Sequence, residues 1–145
     1  MNDRFFLDTN IFVYSLAAGP SKKKDRAAEL VERAIGSGKG AVSYQVIQEF
    51  FSVAFRRFLP RMTFAEAEQY LAATFHPLLV VHSSHSLYME ALTLSRRNSL
   101  SWYDSLIVAS ASESQCRVLY SEDLQDGQAF GNLKIQNPFA GIYKG

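Results

Sequence analysis

The feature that most constrains this fold is an alternation of short apolar runs with longer segments whose apolar residues recur three and four positions apart. The runs are typical of buried strands, and the longer segments are typical of amphipathic helices. Strands separated by helices indicate a parallel sheet covered on both faces. We therefore expect the α/β class, in the form of a three-layer α/β/α sandwich with a central parallel sheet.

The element boundaries follow from cap and breaker residues. Strands are predicted at 4–8, 40–42, 78–81 and 117–120, with an edge strand at 133–136. Helices are predicted to start near 11, after Ser21, after Ser43, after Thr63, after Ser84 and after Ser101. Since ligands bind beyond the carboxyl ends of parallel strands, polar residues at those ends are the first candidates for a site.

Length and charge narrow the class of protein. The chain has 145 residues, which predicts one domain over 1–145. A single cysteine, Cys116, excludes a disulfide within the chain, and no apolar stretch approaches the roughly 20 residues of a membrane span. We expect a cytoplasmic protein without a membrane partner. The net charge of +1 argues against binding nucleic acid by bulk electrostatics, so any such contact needs a local patch.

Four of the fourteen acidic residues stand beside apolar core segments: Asp8, Glu49, Asp104 and Asp123. Burying an ionised carboxylate costs several kcal/mol, so acids in such places usually have a partner or a chemical role. Asp8 and Asp123 follow predicted strands, and the other two lie near the starts of helices. The topology allows all four to converge on one cleft.

Converging carboxylates repel one another, and a hard divalent cation with oxygen ligands removes that cost. Mg²⁺ or Mn²⁺ fits, because these ions bind a few carboxylates together with waters and substrate phosphate. A bound ion of this kind activates water and stabilises charge on a phosphodiester. The acids therefore predict metal-assisted phosphodiester hydrolysis.

Each acid also has a purely structural interpretation. The alternatives are a helix cap for Asp8, a capping box with Ser101 for Asp104, a salt bridge to Arg56 or Arg57 for Glu49, and a solvated loop with Glu122 and Asp126 for Asp123. The four acids together are harder to explain in this way than any one alone.

Four motifs, in order along the chain, carry a resemblance to a known family. They are Phe6-Leu-Asp-Thr-Asn-Ile-Phe12, Val42-Ser-Tyr-Gln-Val-Ile-Gln-Glu-Phe50, Ser101-Trp-Tyr-Asp-Ser-Leu-Ile-Val-Ala109 and Leu119-Tyr-Ser-Glu-Asp-Leu-Gln-Asp-Gly127. Together they resemble the PIN domain and, more narrowly, the VapC-type toxins of toxin–antitoxin pairs. The matching positions run from Asp8 to Asp126.

The resemblance implies a Mg²⁺- or Mn²⁺-dependent endoribonuclease that acts on RNA, pairs with an antitoxin and forms a homodimer. It implies an acidic quartet of Asp8, Glu49, Asp104 and Asp123, with Asp8 and Asp104 as direct metal ligands, and Asn10 and Ser121 as the polar residues that orient the site. The last motif departs from the commoner Thr-Asn-Asp form. Asp126 is therefore a second candidate ligand beside Asp123.

The run Lys22, Lys23 and Lys24 begins a helix near the mouth of the expected cleft. A run of lysines is either a solvated face or a set of contacts to RNA phosphates. Other functions stay open at this point. An aspartyl-nucleophile phosphotransferase would place a second Asp where Asn10 stands. A receiver domain would need a lysine after its last strand. A PIN-like domain that only binds RNA or a partner would not need its acids.

Overall fold

The protein is described here by a computed structural model covering residues 3–142. It contains six strands and six α-helices, with two successive helices after each of the first three strands. The strands are β1 (Phe5–Leu7), β2 (Gly40–Ser43), β3 (Leu79–Val81), β4 (Val118–Tyr120), β5 (Ala129–Phe130) and β6 (Leu133–Gln136). The helices are α1 (Thr9–Ser15), α2 (Lys22–Ser37), α3 (Tyr44–Arg56), α4 (Phe64–Tyr70), α5 (His85–Asn98) and α6 (Trp102–Glu113). A π-helical turn, Leu71–Phe75, and a 3₁₀ turn, His76–Leu78, lead from α4 into β3.

The strands form one sheet in the order β3-β2-β1-β4-β6-β5. All neighbouring strands are parallel except β5, which pairs antiparallel with β6. The predicted α/β fold with its parallel sheet is confirmed. The prediction that 133–136 forms the edge is wrong, because the two-residue strand β5 lies outside it. β5 is too short to leave a periodic signal in the sequence.

The core lies between the sheet and the helices that flank it. Phe5, Phe6 and Leu7 are consecutive residues of β1 and all are buried, as expected for a central strand with both faces covered. Helix α6 is buried along Ser105–Ala111, so it is an internal helix rather than an amphipathic surface one. Gly40 marks a close approach, because a Cβ there would lie 2.3 Å from that of Ala34.

The cap predictions are confirmed at most helix starts. Ser21, Ser84 and Ser101 each accept a hydrogen bond from a backbone N–H in the first turn, and Thr63 forms a complete capping box with Glu66. Ser43 differs: it stands at the start of α3, but its side chain makes no cap hydrogen bond. No helix within residues 3–142 has the length and apolar character that a bilayer crossing requires.

The sheet brings chain segments from different parts of the sequence to one edge. Strand β1 lies between β2 and β4, and Leu7 is paired with Tyr120. The backbone N–H of Asp8 donates to the carbonyl of Tyr120 at 3.1 Å. The residues that directly follow β1, β2 and β4 therefore lie side by side, although about 110 positions separate Asp8, after β1, from Ser121, after β4.

Candidate active site

Asp8 lies at the centre of the site, at the junction of β1 and α1. The residue is 7% exposed. Oδ1 accepts a 2.7 Å hydrogen bond from the backbone N–H of Thr9, and Oδ2 accepts one of 2.8 Å from the hydroxyl of Ser121. The capping interpretation is thus confirmed, because Asp8 is the N-cap of α1. A cap does not require burial, so capping alone leaves the position of this carboxylate unexplained.

Glu49 reaches the same region from the second turn of α3. The hydroxyl of Thr9 donates to its Oε2 at 3.3 Å, and the amide of Gln45 donates to its Oε1 at 2.6 Å. The alternative of a salt bridge to Arg56 or Arg57 is wrong for the described residues: Arg56 bonds to Ser52 instead. Glu49 is therefore held toward Asp8 by neutral donors.

Asp123 follows β4 in an exposed loop and faces α1. The amide of Asn10 donates to its Oδ2 at 3.0 Å. The Ser121 hydroxyl, buried completely, also accepts from the backbone N–H of Leu124 at 3.4 Å. Asn10 therefore makes a direct hydrogen bond to Asp123, and Ser121 makes one to Asp8.

Asp104 enters the cleft from the first turn of α6. Its backbone N–H donates to Ser101 Oγ at 3.2 Å, which is one of the two bonds of a capping box. The side chain is half-buried, and its charge acts on Asp123 strongly enough to contribute to that residue's raised pKa. All four predicted acids are therefore brought to the carboxyl edge of the sheet.

The electrostatics of the site show how closely the acids interact. Burial raises the pKa of Asp8 from 3.8 to about 6, against the opposing hydrogen bonds from Ser121 and Thr9, and the charges of Asp123 and Glu49 raise it further. Burial also raises the pKa of Asp123, with added repulsion from Glu122 and Asp104. These carboxylates repel one another at neutral pH.

The donors in this cluster fit a hard divalent cation. All four acids offer carboxylate oxygens, and neither ion pair found among residues 3–142 involves them. No three acidic, histidine or cysteine side chains of that range are grouped closely enough to hold a metal ion by themselves. Mg²⁺ commonly takes only one or two carboxylates and fills its shell with water and substrate phosphate, so the arrangement remains compatible with it.

Two further predicted residues have structural partners. Oδ1 of Asp126 accepts a 2.8 Å hydrogen bond from the backbone N–H of Asn137, directly after β6. Lys23 forms an ion pair with Glu122, which also accepts a 2.6 Å hydrogen bond from the hydroxyl of Tyr14. Lys23 lies 4.4 Å from the centroid of the Tyr14 ring as well. The run of lysines is thus not uniform, since its middle member is tied to the loop that carries Asp123.

The other two lysines have different environments. Lys22 is exposed at the first position of α2. Lys24 is half-buried, and its backbone N–H donates to the Ser21 cap. Their roles in phosphate contact stay predictions.

Sequence reasoning missed three residues that organise the site: Thr9, Gln45 and Tyr14. Gln45 lies four positions before Glu49, a spacing that places two side chains together on one helix face and that would have identified it. Tyr14 shows no such signal, since its partner Glu122 is 108 residues away.

Fold and site together define a class: an α/β protein with acidic side chains gathered at the carboxyl edge of a mostly parallel sheet. The family model of the PIN domain matches residues 5–126. The chain therefore belongs to the PIN domain family.

Solved structures share this fold. A toxin–antitoxin complex from Klebsiella pneumoniae contains a chain with 17% identity and a TM-score of 0.67, covering 92% of this chain and 96% of that one. VapC20 of Mycobacterium tuberculosis, described as a sarcin–ricin loop cleaving toxin, has 19% identity and a TM-score of 0.61 over 82% and 89%. VapBC2 of Rickettsia felis, bound to promoter DNA, has 18% identity and a TM-score of 0.63 over 92% and 97%. No curated protein matches the sequence significantly.

Proposed function

We propose that this chain is a metal-dependent endoribonuclease that hydrolyses phosphodiester bonds of RNA. The observation that carries the proposal is the repulsive cluster of Asp8, Glu49, Asp104 and Asp123, which gains no cationic side chain among the described residues. Such a cluster lowers the stability of the folded protein. Binding of a cation there during catalysis explains why the protein retains it. Membership of the PIN domain family supports the same reaction class.

In this proposal Asp8 and Asp104 hold Mg²⁺ or Mn²⁺ directly, and Glu49 and Asp123 complete the acidic site. When bound, the ion supplies a water of lowered pKa and stabilises the charge that develops on the phosphodiester. The backbone of Thr9 and the hydroxyl of Ser121 fix both oxygens of Asp8. This leaves the Asp8 carboxylate little rotational freedom, so its geometry is set before substrate arrives.

Asp123 is preferred over Asp126 as the last acid of the site. Asn10 orients Asp123 toward α1, whereas Asp126 accepts a hydrogen bond from the backbone beyond β6. We assign Asp126 to the structure of the loop. Lys22 and Lys24 remain the members of the lysine run proposed to contact RNA phosphates.

We further propose that the protein is the toxin of a toxin–antitoxin pair, acts in the cytoplasm as a homodimer and is held inactive by a cognate antitoxin. The support is the fold shared with the Klebsiella toxin–antitoxin complex, with VapBC2 of Rickettsia felis and with VapC20, described as a sarcin–ricin loop cleaving toxin. The exposed apolar side chains of Met89 and Leu92 on α5 offer a surface for protein contact.

The test is incubation of the purified chain, freed of any co-purified partner, with total RNA at increasing Mg²⁺ or Mn²⁺. The Asp8→Asn variant and an EDTA sample are the controls. Discrete fragments that require metal and are absent from both controls are expected. RNA that stays intact at all metal concentrations, in a sample shown to bind the metal, would overturn the nuclease in favour of a domain that only binds RNA or a partner.

A further inference from the structure

A pocket of about 380 Å³ lies beside the acidic site, where the starts of α3 and α6 approach α5. Its volume is within the range of pockets that hold small organic groups. Its walls include Ser43, Gln45, Gln48, Tyr88, Trp102 and Tyr103. The lining contains no acid, lysine or arginine, and Nδ1 of its one histidine, His82, shares a 2.8 Å hydrogen bond with the hydroxyl of Tyr44. The pocket is therefore better suited to a neutral group than to a phosphate or a metal ion.

Gln45 connects this pocket to the acids. Its Nε2 donates both to Oε1 of Glu49 at 2.6 Å and to the backbone carbonyl of Tyr103 at 3.2 Å. Asp104 is the next residue after Tyr103. The pocket and the acidic site are therefore separated by one side chain, and a substrate bound across the acids can extend a neighbouring group into the pocket.

Two residues that line the pocket carry a buried polar atom that has no hydrogen-bond partner among the described residues. Ser43 is 5% exposed, and its Oγ has no partner although it stands at the start of a helix. Oε1 of Gln45 is also buried without one. Buried polar atoms normally have partners, so two unpaired ones beside the same pocket call for an explanation, and a group bound there can supply it after a small side-chain rotation.

The walls add aromatic surface. The rings of Tyr88 and Trp102 lie 6.2 Å apart and 31° from parallel, and both residues are more than a third exposed. Tyr103 is 65% exposed beside them. Aromatic side chains next to neutral hydrogen-bonding groups are the usual means of binding an unpaired base, by stacking and by contacts to its edges.

We propose that this pocket binds one unpaired nucleobase of the RNA, on a nucleotide next to the phosphate that is cleaved. The proposal rests on the ribonuclease function and adds to it a base-binding subsite at a stated place, between the starts of α3 and α6 and helix α5. Ser43, Gln45 and Gln48 supply the polar contacts and set the preferred base. Trp102 and Tyr88 supply the stacking surface.

Trp102 allows a direct binding test, because it is the only tryptophan in the chain. In EDTA, where no cleavage occurs, we would titrate its fluorescence with each of the four nucleoside 5′-monophosphates and with ribose 5-phosphate. Quenching by at least one monophosphate, with none by ribose 5-phosphate, is expected. An equal response to all five compounds, or no response, would overturn the base pocket. A second copy of the chain that covers the pocket would also give no response, and that result overturns the proposal as well.

The second test maps cleavage sites on RNA with metal present. Tyr88→Ala and Gln48→Ala alter exposed pocket residues, and Phe64→Ala, at a 77% exposed aromatic outside the pocket, is the matched control. We expect the pocket variants to change the sequence preference and to lower cleavage at preferred sites about tenfold, with the control unchanged. Unchanged preference and rate in both pocket variants would overturn the pocket while leaving the nuclease intact. A wild type that cleaves no RNA would overturn the nuclease, and the fluorescence titration then decides the pocket separately.

Discussion

The Ser121 hydroxyl donates a 2.8 Å hydrogen bond to Oδ2 of Asp8, across 113 positions of sequence. Both residues are buried, and each directly follows one of two paired parallel strands. The bond stabilises the ionised form of Asp8 and opposes the effect of burial on its pKa. A residue at the end of β4 therefore lowers the pKa of the acid that follows β1, against the larger effect of burial.

Replacing Ser121 by alanine is expected to shift the acidic limb of the kcat/KM profile for RNA cleavage to higher pH. Without this donor the pKa of Asp8 rises above its value of about 6, so the ionised site forms only in more alkaline solution. The matched control is Ser114→Ala, since Ser114 is also buried but bonds within α6. A rate loss with no change in the pH profile would show that Ser121 has only a structural role.

Asp8→Asn is expected to abolish cleavage and to make the metal-free protein more stable at neutral pH. The folded Asp8 has a pKa raised from 3.8 to about 6, so the folded state binds more protons than the unfolded state in this range. The free energy of unfolding of the wild type therefore falls as pH rises from about 4 to about 6, and the loss persists above it. The asparagine variant lacks this loss. Its amide oxygen can still accept from the backbone N–H of Thr9, while its amide NH2 donates to Ser121, whose hydroxyl then acts as acceptor.

Urea unfolding in EDTA at several pH values measures this difference. The variant should match the wild type near pH 4 and exceed it by about 2 kcal/mol above pH 7. A variant less stable than the wild type at pH 8 would contradict the cost assigned to burying the ionised Asp8 carboxylate, to which Asp123 and Glu49 add repulsion. Substantial cleavage by the variant would remove Asp8 from the metal site.

The sheet and the four acids were predictable because their signals are local. Asp8 follows an apolar strand directly, and Asp104 follows a cap serine at the start of an apolar helix. Parallel order then requires that strand ends meet at one edge. The resemblance to the PIN domain connected these motifs in their order along the chain. The match of the family model over residues 5–126 confirms the resemblance.

Other parts of the site have no local signal. Glu122 pairs with Lys23 and Tyr14, which lie on two different helices far away in sequence. The sequence therefore suggests that the three lysines form one surface, whereas in the structure the pairing of Lys23 with Glu122 sets it apart from Lys22 and Lys24. The unpaired Ser43 was equally hidden, because a serine before a helix predicts a cap that the packed side chain does not make.

Glu49→Gln is expected to reduce cleavage about 100-fold or more with little change in stability. The amide keeps one oxygen for Thr9 or Gln45 but removes the charge that the site offers to a cation. Glu32→Gln, on the exposed face of α2, is the matched control and should cleave like the wild type. Equal activity of the two variants would leave Glu49 outside the catalytic site.

Asp123→Asn and Asp126→Asn separate the two candidates for the last acid. Both replacements keep an oxygen acceptor, for Asn10 in the first case and for the Asn137 backbone in the second. We expect cleavage to fall about 100-fold in Asp123→Asn and to change less than about threefold in Asp126→Asn. Isothermal titration with Mn²⁺ should show weaker binding only for Asp123→Asn. The reverse order would assign the metal to Asp126.

The lysine run provides a last prediction, because its members have different partners. Lys23 holds Glu122 beside Asp123, so Lys23→Ala should lower the free energy of unfolding, by about 1 kcal/mol for this partly buried pair. The double variant Lys22→Ala/Lys24→Ala should leave stability unchanged and instead reduce the slope of log affinity for single-stranded RNA against log salt by about 1 to 2. Binding measured in EDTA at several salt concentrations gives this slope. An unchanged slope in the double variant would make Lys22 and Lys24 a solvated face.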